Sequence, residues 1–168
     1  LSSIGDYRAA VDFYERSIAL KEAQVGPDHP SLGFTATSLA QAYAGLSEYE
    51  KAAELSRRAL AILERAFGAD DPQLAVSLNN FAYSLEGLEQ VDEARAIHER
   101  SINIVSRSWG PDHPQIAISL LNLSSLEKQA GDFEAALDAS QRAGEILTAT
   151  FGTEHPLYAY AANNTGVF

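Results

Sequence analysis

The sequence predicts an all-α solenoid of stacked antiparallel helical hairpins. A short phrase that opens with glycine recurs every 42 residues with no insertion or deletion, and an internal period of this size is typical of stacked repeats. Between the phrases, apolar residues recur at the three- and four-residue spacing of helices. The four copies are Gly-Pro-Asp-His-Pro at 26–30, Gly-Ala-Asp-Asp-Pro at 68–72, Gly-Pro-Asp-His-Pro at 110–114 and Gly-Thr-Glu-His-Pro at 152–156.

The elements follow from this register in chain order. A helix at about 6–24 is the second helix of a broken unit, 1–25. Because the chain starts with Leu1, inside a repeat, we expect 1–168 to be a single repeat array taken from a longer one. Three full hairpins and the first helix of a truncated unit come next, and their ranges are 26–67, 68–109, 110–151 and 152–168.

Within the unit 68–109, local signals set the helix ends. Asp71 before Pro72 is typical of a helix start, because the carboxylate accepts from free backbone N–H groups and proline suits the first turn. Gly87 is expected to take a left-handed conformation at the end of the first helix. The second helix is predicted to begin near Gln90 and to end at Gly110.

At two positions, all the second helices carry the same residue type, alanine at one and arginine at the other. Small side chains at one of these positions allow two helices to approach closely. The arginines at another position are interpreted as ion pairs or carbonyl contacts within the array, in preference to a binding stripe for an acidic partner. The two sets are Ala10, Ala52, Ala94 and Ala136, and Arg16, Arg58, Arg100 and Arg142.

Histidine recurs in three copies of the glycine phrase as His29, His113 and His155, and the remaining copy has Asp71 in its place. Metal ligands must converge within a few ångströms, whereas these residues are spread one to a repeat. The exchange of histidine for aspartate favours a helix-capping role. We expect His98, on a second helix, to lie at the surface.

Composition narrows the range of partners. The net charge of −11 repels nucleic acid, and the absence of cysteine excludes disulfides and zinc–thiolate sites. No apolar run is long enough to span a bilayer. We therefore predict no nucleic-acid or membrane partner, no metal and no cofactor, and a cytoplasmic location. The acidic charge favours a basic or apolar protein partner over an acidic one.

The hairpins, their alanine positions and the phrase Gly-Pro-Asp-His-Pro resemble tetratricopeptide repeats of the kinesin-light-chain type. The resemblance covers nearly the whole chain. It implies a right-handed superhelix whose first helices line a concave groove that binds peptides, with asparagines holding the ligand backbone. The matching positions here are Ser38, Asn80, Asn122 and Asn164.

Neighbouring first-helix positions complete the candidate groove. Asn80 points off the apolar stripe, and a row of asparagines offers paired donors and acceptors to an extended peptide. The alternative is that these side chains bond neighbouring helices or are solvated. The residue before each asparagine position is where a carboxylate clamp would need lysine, so we exclude a clamp. The further candidates are Phe34, Thr37, Gln41, Val76, Asn79, Tyr83, Ile118, Ser125 and Asn163.

These observations predict a protein–protein interaction module that binds a peptide or protein segment in its groove. No nucleophile-elbow or phosphate-binding motif is present, so we predict no enzymatic activity. Two alternatives stay open. One is a regulatory or spacer segment of a larger signalling protein, with no ligand of its own. The other is a scaffold that associates end to end, because Tyr158, Tyr160 and Phe168 have no following helix to cover them.

Overall fold

The computed structural model describes residues 3–154 and 156–165, and all regular structure within these ranges is helical. This confirms the predicted all-α fold. Two residues considered above, His155 and Phe168, lie outside the described residues. The side chains of Tyr160 and Asn164 also lie outside the part of the chain that the structure describes.

The helices follow the predicted register. Two long helices fall in each of the ranges 26–67, 68–109 and 110–151, and a short 3₁₀ turn at Pro72–Leu74 precedes the fourth helix. The helices are α1 (Ser3–Val25), α2 (Pro30–Gly45), α3 (Tyr49–Phe67), α4 (Ala75–Gly87), α5 (Val91–Trp109), α6 (Pro114–Ala130), α7 (Phe133–Phe151) and α8 (Pro156–Thr165).

The chain divides into two compact units, Leu1–Ala94 and Arg95–Phe168. In the first unit, α1 packs on α2, and α2 packs on both α3 and α4. In the second unit, α7 packs on α6 and on α8. No hairpin can bury its apolar side alone, so each unit is held together by contacts between successive helices.

The loop residues cap the first helices as predicted. Nδ1 of His29 accepts from the backbone N–H of Ser31 at 3.2 Å, and Nδ1 of His113 accepts from Gln115 at the same distance. In the second copy, a carboxylate oxygen of Asp71 accepts from the backbone N–H at position 73 at 2.8 Å. Histidine and aspartate are therefore exchangeable here because both offer an acceptor to the first turn.

The prediction for Gly87 was wrong. Its backbone is not left-handed; the left-handed residue after α4 is Glu89, with φ 60°. A Cβ at Gly87 would lie 2.3 Å from the ring of Tyr49, so glycine is needed there for close approach of α3. The ring of Tyr7 stands against Gly45 in the same way, one repeat earlier.

The prediction that His98 lies at the surface was also wrong, because its side chain on α5 is fully buried. Ser56 and Ser140 occupy the same position of the repeat and are buried as well. The position therefore belongs to the packed side of the second helix. Ser56 and Ser140 are small residues, as is common at such a position. Comparison of the three aligned helices would have indicated burial.

The recurrent arginines form ion pairs within each unit, as predicted, at two of the four positions. Arg58 contacts Glu22 at 2.8 Å in the first unit. Arg142 contacts the Asp112 carboxylate at 2.5 Å in the second, and it also donates to the carbonyl of Pro111. The pairs are exposed, so each adds little stability.

Candidate functional site

One side of α2 and the same side of α4 form a continuous candidate surface in the first unit. Each helix contributes three residues at spacings of four and three, which places them on one side of the helix. The two helices pack against each other. We call this surface the first-helix face; it consists of Phe34, Ser38 and Gln41 on α2 and Val76, Asn80 and Tyr83 on α4.

The first-helix face exposes large apolar side chains. Phe34 is 41% exposed and Val76 is 55% exposed, although both stand on helices that are otherwise largely buried. The ring of Phe34 lies 5.9 Å from that of Phe67, which is the last residue of α3. Apolar groups that are exposed together on a polar surface are typical of interaction sites.

Tyr83 is held by its neighbour. Its ring meets the ring of Tyr49 edge-on, with 6.3 Å between the ring centres. Partial burial, followed by the interaction with Tyr49, raises the pKa of Tyr83. Tyr83 thus offers a phenol O–H group beside a half-exposed ring.

The polar side chains of the face have unused hydrogen-bonding capacity. Within the described residues, the side-chain amides of Gln41 and Asn80 have no hydrogen-bond partner, and Asn80 is half-buried. Ser38 donates to the carbonyl of Phe34 in its own helix at 3.2 Å, which leaves its oxygen able to accept. Each free amide offers two donors and an acceptor.

Thr37 and Asn79, which the sequence analysis included in the groove, are both buried. The Thr37 hydroxyl donates to the carbonyl of Gly33 at 3.0 Å and shares a 2.7 Å hydrogen bond with the hydroxyl of Ser77. The equivalent Leu121 is buried too. For Thr37, therefore, the structure supports the alternative that the side chain bonds neighbouring backbone and helices.

The second unit repeats the pattern on α6. Ile118 is exposed, and Asn122 and Ser125 are half-buried, at the same spacings of four and three. Within the described part of the chain the Asn122 side chain has no hydrogen-bond partner. On α8, Asn163 is exposed, whereas the side chain of Asn164 is outside the described residues.

The face is almost uncharged. Helix α2 contains no charged residue, and the only one in α4 is Glu86. Across the described residues there is no group of three or more His, Cys, Asp or Glu side chains that could hold a metal ion. Among the helices that are described, none combines the length and apolarity needed to cross a membrane.

The recurring hairpins and the capped glycine loops define a helical repeat protein of the solenoid class. A model of the tetratricopeptide repeat family matches residues 1–65 and 73–148. The chain therefore belongs to the tetratricopeptide repeat family. Repeats of this kind are in general protein–protein interaction modules on a non-catalytic scaffold. No curated protein matches the chain.

Solved structures show the same fold. A Podosopora anserina protein described as a kinesin light chain with nearly identical TPR-like repeats superposes with a TM-score of 0.78 and 23% identity, over 96% of this chain and 76% of that one. A variant of it gives a TM-score of 0.79. BtubC (BKLC) from P. vanneervenii gives 0.72 at 22% identity, over 98% of this chain and 63% of that one. These likenesses confirm the tetratricopeptide fold of the kinesin-light-chain type.

Proposed function

We propose that the first-helix face binds an extended peptide segment of a protein partner. The observation that carries this proposal is the side-chain amide of Asn80, which is half-buried, has no partner among the described residues and stands between the exposed Val76 and Tyr83. Because this amide is only partly buried, water can reach it in the free chain, and a ligand can replace that water with hydrogen bonds of its own.

The chemistry of the face suits a peptide main chain. Asn80 and Gln41 can each donate to a peptide carbonyl and accept from a peptide N–H. Side chains of an extended ligand point alternately to opposite sides, so every second one can contact Phe34, Val76 or the Tyr83 ring. Main-chain bonds then supply affinity, and the apolar contacts supply selectivity.

Charge selects among possible ligands. The two helices of the face offer no cation to an acidic segment, and the only charged residue that they contain is Glu86. The net charge of the whole chain is −11. We therefore expect an apolar or basic peptide, whose association the acidic surface favours.

The α6 surface of Ile118, Asn122 and Ser125 is proposed as a second contact for the same partner, with Asn163 on α8 as a further polar group. In this proposal, residues 1–168 act as one array in the cytoplasm and carry no catalytic activity. A regulatory or spacer segment without a ligand is the competing function, and the experiment below distinguishes the two.

The test is a peptide-library screen of the wild-type chain and of an Asn80→Ala/Asn122→Ala double variant. Asn103→Ala is the matched control, because this asparagine is exposed on a second helix. We expect wild-type ligands that are apolar or basic, that the double variant loses and that the control retains. If no peptide binds, the spacer function replaces this proposal. If peptides bind and the double substitution does not change their binding, the ligand contacts another surface and the first-helix face is not the site.

A further inference from the structure

A small cleft in the first unit is lined by residues of α1, α2 and α3. Its volume is about 270 Å³. Leu39 and Tyr43 of α2, both buried, and the half-buried Leu55 of α3 give it apolar surface, and Glu15 of α1 and Glu54 of α3 line it as well. Pockets for whole small molecules usually measure about 300–1,000 Å³, so a cleft of this size suits one long side chain. We call it the α1–α3 cleft; it shares no residue with the first-helix face.

The carboxylates of the α1–α3 cleft are available to a ligand. Its two cations, Lys51 and Arg58, are each paired with a carboxylate that does not line the cleft, at 2.6 and 2.8 Å. Lys51 also lies over the Tyr43 ring, with 5.0 Å between its ammonium nitrogen and the ring centre. Within the described residues, neither Glu15 nor Glu54 forms an ion pair. Tyr43 donates to one oxygen of Glu15 at 2.6 Å, which leaves the other oxygen able to accept.

The position of Glu15 is a surface position of the repeat. Its occupants in the four second helices are all exposed, and these are Glu15, Arg57, Glu99 and Gln141. Because α1 packs on α2 and α2 packs on α3, the cleft is formed between successive helices inside the first unit.

One repeat later, the chain places a guanidinium of its own at this position. Arg57 holds the position of Glu15, and Phe81 on α4 holds that of Leu39. The guanidinium carbon of Arg57 lies 5.2 Å from the centre of the Phe81 ring. A guanidinium is attracted to a ring face at this distance, and its stem covers apolar surface. The α1–α3 cleft has a glutamate in place of that arginine, so it receives no guanidinium from this position and offers a carboxylate to one.

We propose that the α1–α3 cleft binds an arginine side chain of a protein partner. The stem of the arginine packs on Leu39 and Leu55, and its guanidinium donates to the carboxylates of Glu15 and Glu54. Arginine suits the cleft better than lysine, because a guanidinium carries several donors in a planar fork and is more weakly hydrated than an ammonium group. The site is separate from the first-helix face and does not depend on peptide binding there.

NMR titration of the full chain with three capped pentapeptides tests the proposal. The first peptide is Gly-Gly-Arg-Gly-Gly, and we expect the methyl signals of Leu39 and Leu55 to shift with saturation, with a Kd of about 1 mM. The second has citrulline in place of arginine, which keeps the shape and removes the charge, so it should give no saturable shift. The third has lysine and should bind about threefold more weakly or worse.

Variants of the chain test the two carboxylates. Glu15→Gln together with Glu54→Gln should weaken binding of the arginine peptide about tenfold or more, because both acceptors lose their charge. Both side chains are exposed, so the fold is retained. The matched control is Glu89→Gln together with Glu99→Gln, which removes two exposed carboxylates that do not line the cleft. This control and Asn80→Ala should bind the arginine peptide as the wild type does.

Three results would overturn the proposal. The first is the absence of a saturable shift at Leu39 and Leu55 when the arginine peptide is well above the expected Kd. The second is equal binding of the citrulline or the lysine peptide, which would show that the cleft does not recognise a guanidinium. The third is binding that the Glu15 and Glu54 substitutions leave unchanged, or that the control pair weakens as much, which would show only a general attraction to an acidic chain.

Discussion

The two compact units fill the same place between helices with opposite chemistry. In the first unit, Ala53 on α3 and Leu85 on α4 are both buried. In the second, the same two repeat positions hold Arg95 on α5 and Glu127 on α6, which form two hydrogen bonds, at 2.5 and 2.8 Å. Glu127 is only 5% exposed.

This difference shows that the same pair of repeat positions can be occupied by an apolar pair or by an ion pair. A buried ion pair gains from its two parallel hydrogen bonds, but desolvation of both ions offsets most of that gain. An apolar pair needs no such compensation. The ion pair can therefore be replaced as a unit, whereas the loss of one partner leaves a charge withdrawn from water.

The largest expected effect comes from breaking this pair. Glu127→Leu leaves the Arg95 guanidinium without its bidentate partner, and we expect a loss of about 3 kcal/mol in the free energy of unfolding, measured by urea denaturation. Arg95 is partly exposed, which keeps the loss at the lower end for buried pairs. A loss below about 1 kcal/mol would show that the pair is effectively solvated.

A second experiment places the apolar pair of the first unit at the two equivalent positions of the second unit. Arg95→Ala together with Glu127→Leu gives the second unit the residues of the first. We expect stability within about 1 kcal/mol of wild type, because no charge is then left unpaired. If the double variant is as unstable as Glu127→Leu alone, the two positions are not equivalent and the comparison fails.

The next largest effect on stability is expected from replacing a glycine by alanine, at one position in each unit. Gly87→Ala forces the Tyr49 ring to move and should cost about 2 kcal/mol as overpacking. Gly144→Ala is the matched control in α7, where a Cβ has an ordinary 3.8 Å contact. There we expect a gain of about 0.5 kcal/mol from helix propensity. Thermal denaturation of both variants would test this, and equal effects would contradict the close-approach role.

A smaller effect is expected at Tyr43, which holds the repeat position of Glu127 and Leu85. Its hydroxyl donates to Glu15 at 2.6 Å, and this bond, with burial, raises the pKa of Tyr43 to about 12 from 10.0. The resulting stability is complete below pH 10 and is lost as pH rises to about 12. Tyr43→Phe should cost about 1 kcal/mol at neutral pH and reduce the alkaline loss. An unchanged alkaline profile would contradict this assignment.

The smallest effect on stability is expected on the first-helix face. Asn80→Ala in the first unit and Asn122→Ala in the second should each change unfolding free energy by about 0.5 kcal/mol, since neither side chain has a partner within the described residues. Chemical denaturation provides the measurement. A loss of several kcal/mol at either site would show a structural role and would remove it from the proposed binding surface.

Periodicity predicted the helices and loop chemistry well, because capping depends on residues next to each other in sequence. The histidine and aspartate caps are examples. The groove was harder to predict. Thr37 and Asn79 stand one residue before the half-buried Ser38 and Asn80, and this single step places their side chains in the buried interior. The pair Arg95–Glu127 was missed, although each replaces an apolar or aromatic residue at its repeat position, and two such breaks on neighbouring helices are a usable signal.

The central claim is that Asn80 and Gln41 contact a peptide. Side-chain amide resonances of the chain, followed by NMR during titration with a peptide from the library screen, test it most directly. The account predicts that the Asn80 and Gln41 amide signals shift with saturation, while that of Asn103 on α5 does not. Saturable shifts at Asn103 with none at Asn80 or Gln41 would place the ligand elsewhere and contradict the account.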